Sequence, residues 1–303
     1  MAERPAGTTR PDAPGRAGAT EPRLRDRVAV VTGAGRGIGK EIALGLAREG
    51  ASVVAASRTP AEIEATIAEI AAGGGQALAF RADIARAADV KALVGAALDR
   101  FGQIDILVNN AGTFGPIGPL LTNDSEAWVR TVMVNLVGTV LCTQAVLVGM
   151  VQRRQGKIIN LSGGGAASPR PNFTAYAASK AAIVRFTESV AKEVAAYNVR
   201  VNAMAPGPVF TRLTESIIRT GPAAGAEALR EAYRQRSGDN ASLAEAVALA
   251  VFLASDESGC LSGRFISAVW DDWRAIPSQL DRITSSDLYT LRRVVPTAEG
   301  LHQ

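Results

Sequence analysis

From Arg27 onward the chain alternates short apolar runs with longer amphipathic stretches, and this rhythm constrains the fold more than any other feature. Runs at 28–32, 51–56, 77–81, 104–109, 157–161, 200–203 and 264–268 have the length and β-branched content of buried strands. Between them lie helical patterns at about 39–49, 60–72, 86–101, 124–154, 174–196, 211–235 and 242–255. Seven strands with interleaved helices predict an α/β, Rossmann-type doubly wound parallel sheet with helices on both faces. Right-handed crossovers bring the carboxyl ends of all strands, and with them any ligand, to one edge. Residues 24–270 are expected to form this single domain, preceded by a disordered tail at 1–23 rich in Pro, Gly, Ala and Arg and followed by an extension at 271–303.

Several function classes are disfavoured by what is scarce. The single histidine, His302, is next to the last residue, so Ser-His-Asp or Cys-His catalysis is not expected. Cys142 and Cys260 have no close-spaced partner, which argues against a disulfide framework or a zinc site and fits a reducing, cytoplasmic setting. No metal is expected. The net charge of +4 is spread along the chain rather than gathered on one face, so no nucleic-acid partner is expected. No stretch of about 18 apolar residues and no secretory signal pattern is read, hence no membrane partner.

The first strand runs directly into Thr32-Gly33-Ala34-Gly35-Arg36-Gly37-Ile38-Gly39 and then a helix. This strand, glycine turn and helix order is the context in which backbone N–H groups and the positive end of a helix dipole approach a pyrophosphate. Gly33, Gly37 and Gly39 are expected to provide the clearance, since a Cβ would obstruct that approach. At the end of the second strand stand Ser57 and Arg58 in place of a carboxylate that would bind a ribose 2′-hydroxyl. A guanidinium can fork onto a 2′-phosphate, and Arg36 can approach the same group, so NADP(H) is preferred, with NAD(H) second. The competing reading leaves both arginines as solvated surface residues.

The glycine turn is similar to the TGxxxGxG turn of the short-chain dehydrogenase/reductase family, and further matches follow in order. Asp83 with Ile84 resembles that family's adenine-contacting pair, and Asn109-Asn110-Ala111-Gly112 resembles its NNAG motif. Asn135 resembles its helix-kinking asparagine, Tyr176 and Lys180 its YxxxK pair, and Pro206-Gly207-Pro208-Val209 with Thr211 its PG loop. The resemblance covers about residues 25–270. It implies a nicotinamide site lined by Thr32, Gly33, Gly35, Arg36, Gly37, Ile38, Gly39, Ser57, Arg58, Asp83, Ile84, Asn110, Ala111, Gly112, Tyr176, Lys180, Pro206, Gly207, Val209 and Thr211.

Tyr176 and Lys180 are four residues apart and therefore share one helix face. A nearby ammonium favours the phenolate and lowers a phenol pKa that otherwise sits near 10. The resemblance implies that Tyr176 exchanges a proton with a substrate oxygen, that Lys180 also holds the nicotinamide ribose, and that Asn135 anchors a water in the relay. The substrate is then a small carbonyl or alcohol. One position departs from the pattern: the family's substrate-orienting serine, 13 residues before the tyrosine, is Gly163 here. Ser162 lies one residue early and is given the oxyanion-stabilising role, the three following glycines rotating the backbone. The alternatives are a backbone N–H donor from the glycine run or impaired catalysis, in which case the fold would be a dinucleotide-binding scaffold or sensor.

The helical patterns 124–154 and 174–196 are apolar on more than one face, which predicts packing against a symmetry mate in a homodimer or homotetramer, deep burial in the monomer being the alternative. Residues 208–240, with Gly221, Pro222 and Gly225, suit a lid over the substrate or simple packing on the sheet. Trp270 and Trp273 are read as structural anchors for the tail or a neighbouring subunit, with a substrate-lining role as the alternative. A short helix is predicted within 285–293.

Overall fold

The computed structural model describes residues 21–238 and 241–293. His302 and most of the tail expected at 1–23 lie outside the described residues.

One sheet of seven parallel strands organises the chain: β1 (Val28–Thr32), β2 (Ser52–Ser57), β3 (Ala77–Arg81), β4 (Ile106–Asn109), β5 (Gly156–Leu161), β6 (Val199–Ala205) and β7 (Phe265–Ser267), in the order β3-β2-β1-β4-β5-β6-β7. The strand succession reverses direction between β1 and β4, so the loops after these two strands open a crevice at the carboxyl edge. Side chains alternate across the sheet with period two. Ala29, Val31, Val53, Ala55, Ile106, Val108, Ile159 and Leu161 join one core, while Val30, Val54, Leu107 and Ile158 join the other.

Helices α1 (Gly37–Arg48), α2 (Pro60–Ala72) and the later α9 (Ala241–Ala254) cover the first face, contributing Ile42, Leu46, Ile63, Ile70, Leu249 and Phe252. Helices α3 (Ala87–Phe101), α5 (Gly138–Arg153) and α6 (Thr174–Glu193) cover the second with Val90, Leu93, Cys142, Val146, Met150 and Val190.

Helix α4 (Ser125–Val132) continues into α5 through one π-helical turn, Met133–Val137, giving a 29-residue helix from Ser125 to Arg153. That helix is long and apolar enough to cross a membrane by length and composition, with a mean hydropathy of 1.9 over its most apolar 18 residues, which corrects the expectation that no stretch qualifies. Its polar residues Asn135, Thr139 and Thr143 are turned inward and buried, where their side chains are hydrogen-bonded.

The stretch expected as one helical region at 211–235 is broken by Gly221-Pro222 into α7 (Arg212–Thr220), a short 3-10 turn and α8 (Ala226–Ser237). After β7 the chain forms a 3-10 segment, Trp273–Gln279, and α10 (Leu280–Thr284). Trp273, Ile276 and Ile283 enter the first core, with Trp273 against Phe252 at a 5.4 Å ring separation. Trp270 does not share this anchoring: it is 70% exposed.

The helix predicted within 285–293 is absent. The carbonyls of Thr284, Ser286 and Leu288 instead accept hydrogen bonds from the Arg264 guanidinium, and Phe265 N–H donates to the Tyr289 carbonyl. Carbonyls turned onto a buried cation cannot complete a helical ladder, so the segment lies along the β7 edge as an irregular strap.

Candidate active site

The glycine turn between β1 and α1 has Gly37 at φ 55°, a conformation that favours residues without a Cβ. Clearance is divided differently from the expectation. A Cβ on Gly39 would lie 2.2 Å from Asn110 Nδ2 and one on Gly33 2.8 Å from the same atom, so these glycines make room for the neighbouring loop rather than for a ligand. Gly35 clears Glu62. Gly37 alone of the four faces an opening, bounded by Thr211 Cγ2 at 3.5 Å. Arg36, the N-cap of α1, gives the helix no side-chain acceptor and the first turn holds no acid, so the N–H groups facing this opening suit an anion. The cradle therefore fits a pyrophosphate.

The Asn110 amide donates to the Thr32 and Gly33 carbonyls at 2.9 and 3.2 Å, and the N–H groups of Asn110 and Ala111 donate to Thr32 Oγ1. These bonds lock the loop after β4 to the turn after β1, across the switch point. On the far side of the opening, Thr211 caps α7, Val209 is nearly buried, and Gly207 beside Pro206 has Val269 and the Trp270 ring against it.

At the end of β2, Ser57 Oγ is bonded to the backbone of Thr59. Arg58, Arg81, Asp83, Arg86 and Asp89 line a cavity of about 330 Å³. Asp83 accepts from the Ala85 N–H, while the Ile84 side chain is buried beside Gly138. Arg36 is held by both oxygens of Glu62, at 2.7 and 2.8 Å, and Arg212 of α7 reaches the same carboxylate at 2.9 Å. Neither Arg81, Arg86 nor Glu62 was singled out in the sequence, because their approach to this end is a product of the β2–β3 pairing and the placing of α2.

The candidate catalytic pair stands on α6. Tyr176 is 9% exposed and packs edge-on to Phe114 at 4.7 Å, with Phe173 next to Phe114. Burial pushes the phenol pKa up, and the one charge that opposes this is the Arg170 guanidinium. Lys180 lies one turn on, fully inside the protein, and burial lowers its pKa to about 8. Its ammonium is 5.7 Å from the Tyr176 ring centre and donates to the Leu161 carbonyl at 2.7 Å. A Cβ on Gly112 would stand 3.6 Å from that ammonium and 3.3 Å from Asn135 Oδ1, so the motif after β4 meets the α6 pair.

The π-helical turn rotates Asn135 into the interior. Its amide accepts from Thr113 N–H at 2.8 Å and donates to the Thr113 carbonyl and to Ser179 Oγ, each at 2.9 Å. Both amide hydrogens are thus committed to protein groups. Asn135 ties the loop after β4 to α6, and Ser179 and Thr113 are members of this network that sequence reasoning missed.

The oxyanion role expected of Ser162 does not fit this geometry. Its hydroxyl is buried and donates to the Lys180 carbonyl at 3.0 Å, while its N–H donates to Met204. As alternation at a strand end dictates, the neighbouring position points the other way. A Cβ built on Gly163 would lie 2.8 Å from Tyr176 Oη, so it is Gly163, with no hydroxyl to offer, that faces the phenol.

The geometry has a counterpart among known proteins. The family model for short chain dehydrogenase matches residues 27–221. The chain is 44% identical over 197 residues to 3-oxoacyl-[acyl-carrier-protein] reductase of Synechocystis sp., covering 64% of this chain and 78% of that protein. Among solved structures it is similar to an actinorhodin polyketide ketoreductase variant with NADPH, at a TM-score of 0.74 and 30% identity, covering 80% of this chain and 95% of that one. It is also similar to NAD+-bound xylitol dehydrogenase, at a TM-score of 0.75 and 27% identity, covering 81% of this chain and 98% of that one. The chain belongs to the short-chain dehydrogenase/reductase family, as an oxidoreductase acting on the CH–OH/C=O pair.

Proposed function

We propose that the protein is an NADP(H)-dependent oxidoreductase acting on a small carbonyl or secondary alcohol, with Tyr176 as the proton-exchanging group. The observation that carries the reading is the convergence of Tyr176 Oη, the Lys180 ammonium, Asn135 and the hydroxyl-free Gly163 at the carboxyl edge, beside the anion-suited opening at Gly37. The dinucleotide, when bound, supplies or accepts hydride at its nicotinamide ring. The chain's own residues do the rest. Gly37 and the start of α1 hold the pyrophosphate. Lys180, anchored on the Leu161 carbonyl beside Gly112, holds the ribose, and Asn135 keeps that loop and α6 in register. Tyr176 gives its proton to the developing alkoxide in reduction and takes it back in oxidation. The substrate oxygen meets no serine hydroxyl, and we assign its second hydrogen bond to a backbone N–H of the run Gly163–Gly165.

The preference for NADP(H) is supported by Arg58, Arg81 and Arg86, which outnumber Asp83 and Asp89 around one cavity, and by the lack of a carboxylate at the end of β2 to take a ribose hydroxyl. We place the protein in the cytoplasm, a reading supported by two free cysteines. Exposed Val129, Met133 and Val148 on the 29-residue helix support a homodimer or homotetramer. A light-scattering mass equal to one chain at micromolar concentration would remove that part.

The test is NADPH oxidation against a panel of ketones, ketosugars and acyl thioesters, with Tyr176→Phe as control. We expect turnover with at least one class, and a fall of at least about a hundredfold in the variant. Gly163 favours a second reading, a dinucleotide-binding scaffold or sensor. Tight NADPH binding with no turnover across the panel would select it.

A further inference from the structure

Arg170 lies on the loop that joins the glycine run to α6 and was not among the residues expected at the site. Its guanidinium carbon is 4.5 Å from the Phe173 ring centre, 5.2 Å from that of Phe114 and 5.6 Å from that of Tyr176. Among the described residues its guanidinium makes no ion pair and no hydrogen bond, whereas Arg36 and Arg212 beside the glycine turn and Arg274 of the 3-10 segment after β7 each pair with an acid. A partly buried guanidinium held on aromatic faces without a counter-ion projects its charge onto whatever lies beside it. Here that is the phenol which, in the reading proposed above, must lose and regain a proton.

The surroundings of the phenol leave few other sources of charge. The elements packed against Tyr176 present apolar side chains: Phe114 from the loop after β4, Phe173 before α6, Ile217 from α7, Ala224 from the 3-10 turn and Ala232 from α8. Two charged groups face its ring, Arg170 from the loop and Lys180 from its own helix. They are not equivalent. The Lys180 ammonium is bound to the Leu161 carbonyl, and burial lowers its pKa to about 8, so it gives up its charge as pH rises through that value. A guanidinium keeps its charge throughout.

In the glycine run, Gly165 makes room for this residue: a Cβ there would stand 3.3 Å from Arg170 Cβ and 3.1 Å from Ala177 Cβ, whereas one on Gly164 would meet Arg170 Nη1 at an ordinary 3.7 Å. The same run leaves the phenol without a neighbouring hydroxyl at Gly163.

We propose that Arg170 is a positioning residue for proton transfer at Tyr176: its unpaired guanidinium, laid on the Phe114, Phe173 and Tyr176 rings, provides the fixed positive charge that stabilises the phenolate in a site where Gly163 offers no hydroxyl. Burial alone would hold the proton on Tyr176, and Arg170 is the group that works against it.

The inference rests on the oxidoreductase reading for its purpose but is tested without turnover. The ionisation of Tyr176 is followed by tyrosinate absorbance of the full chain as pH is raised, taking Tyr176→Phe as the blank for the other three tyrosines. A unit charge near 6 Å, at an effective dielectric between that of a protein surface and water, is worth about one pH unit. Arg170→Met is therefore expected to raise the midpoint by about one unit, a tenfold change in proton affinity. Arg170→Lys, which restores the charge but not the planar stacking, is expected to recover more than half of that. A midpoint in Arg170→Met equal to the wild type overturns the proposal, as does a Lys variant shifted as far as the Met one, which would mark a packing role. Circular dichroism checks each fold, and Arg170→Gln takes the same reading if the Met variant is unfolded. If the panel then gives turnover, the basic limb of the kcat/KM profile for reduction, where the proton-donating phenol is lost, moves up with the absorbance midpoint. Absence of turnover with the absorbance shift intact would fail the oxidoreductase reading and leave this one standing.

Discussion

Restoring the family's serine at position 163 is expected to damage this enzyme rather than improve it. A Cβ at Gly163 stands 2.8 Å from Tyr176 Oη, whereas ordinary contact begins near 3.4 Å, so the two groups must part by about 0.6 Å. The phenol has little room to yield: its ring is nearly buried, boxed by Phe114 edge-on at 4.7 Å and by the Arg170 guanidinium. Displacement of a reacting group by 1 Å costs on the order of a hundredfold in rate, so about 0.6 Å corresponds to roughly tenfold. Both Gly163→Ser and Gly163→Ala are expected to lower kcat/KM by about that factor, with the alanine separating size from the hydroxyl. The assay is steady-state NADPH oxidation with the best panel substrate, alongside NADPH affinity, which is expected to stay unchanged because the glycine turn at 33–39 is untouched. A serine variant faster than the wild type, or an alanine variant equal to it, would refute the argument by showing that the backbone at 163 accommodates a side chain without moving the phenol.

Other outcomes follow from the same geometry. Glu62→Gln frees Arg36 and Arg212, and since exposed ion pairs are worth up to about 1 kcal/mol, NADP(H) should bind roughly two- to fivefold tighter with NAD(H) unchanged in parallel titrations; equal effects on both would sink the link to the 2′-phosphate. Ser162→Ala removes the donor to a buried carbonyl of α6, so thermal unfolding should show a loss of about 1–2 kcal/mol while kcat stays within about twofold; a large fall in kcat at unchanged stability would return the hydroxyl to the reaction. The Lys180 pKa is lowered on folding, from 10.5 to about 8, so the unfolded chain binds this proton more tightly and stability rises with pH between those values. Lys180→Met should therefore be more stable than the wild type near pH 7, and the advantage should shrink from pH 8 to 10; an advantage that does not vary with pH over that window would rule out the buried charge as its source.

The fold and most of the site were legible in the chain because their signals are local. Strand and helix periodicity, the position of the glycine turn after β1, and the four-residue spacing of Tyr176 and Lys180 need no long-range information, and the seven strands and the pairing of phenol with ammonium on one helix face follow from them. Even the opposite aims of Ser162 and Gly163 follow from strand alternation. What the sequence by itself did not decide is whatever depends on how distant segments meet. The amide of Asn110 occupies the space kept free by Gly33 and Gly39, Glu62 holds Arg36, expected free for a phosphate or solvated, together with Arg212, and the buried Arg264 draws onto itself the carbonyls of a segment with a helical pattern. Arg170 lies in a loop with no periodicity to mark it, and only the packing of three aromatic rings sets its charge beside Tyr176. Local spacing fixes which side chains share a face, whereas the field at a titrating atom is a sum over neighbours in space, and those neighbours are chosen by tertiary packing.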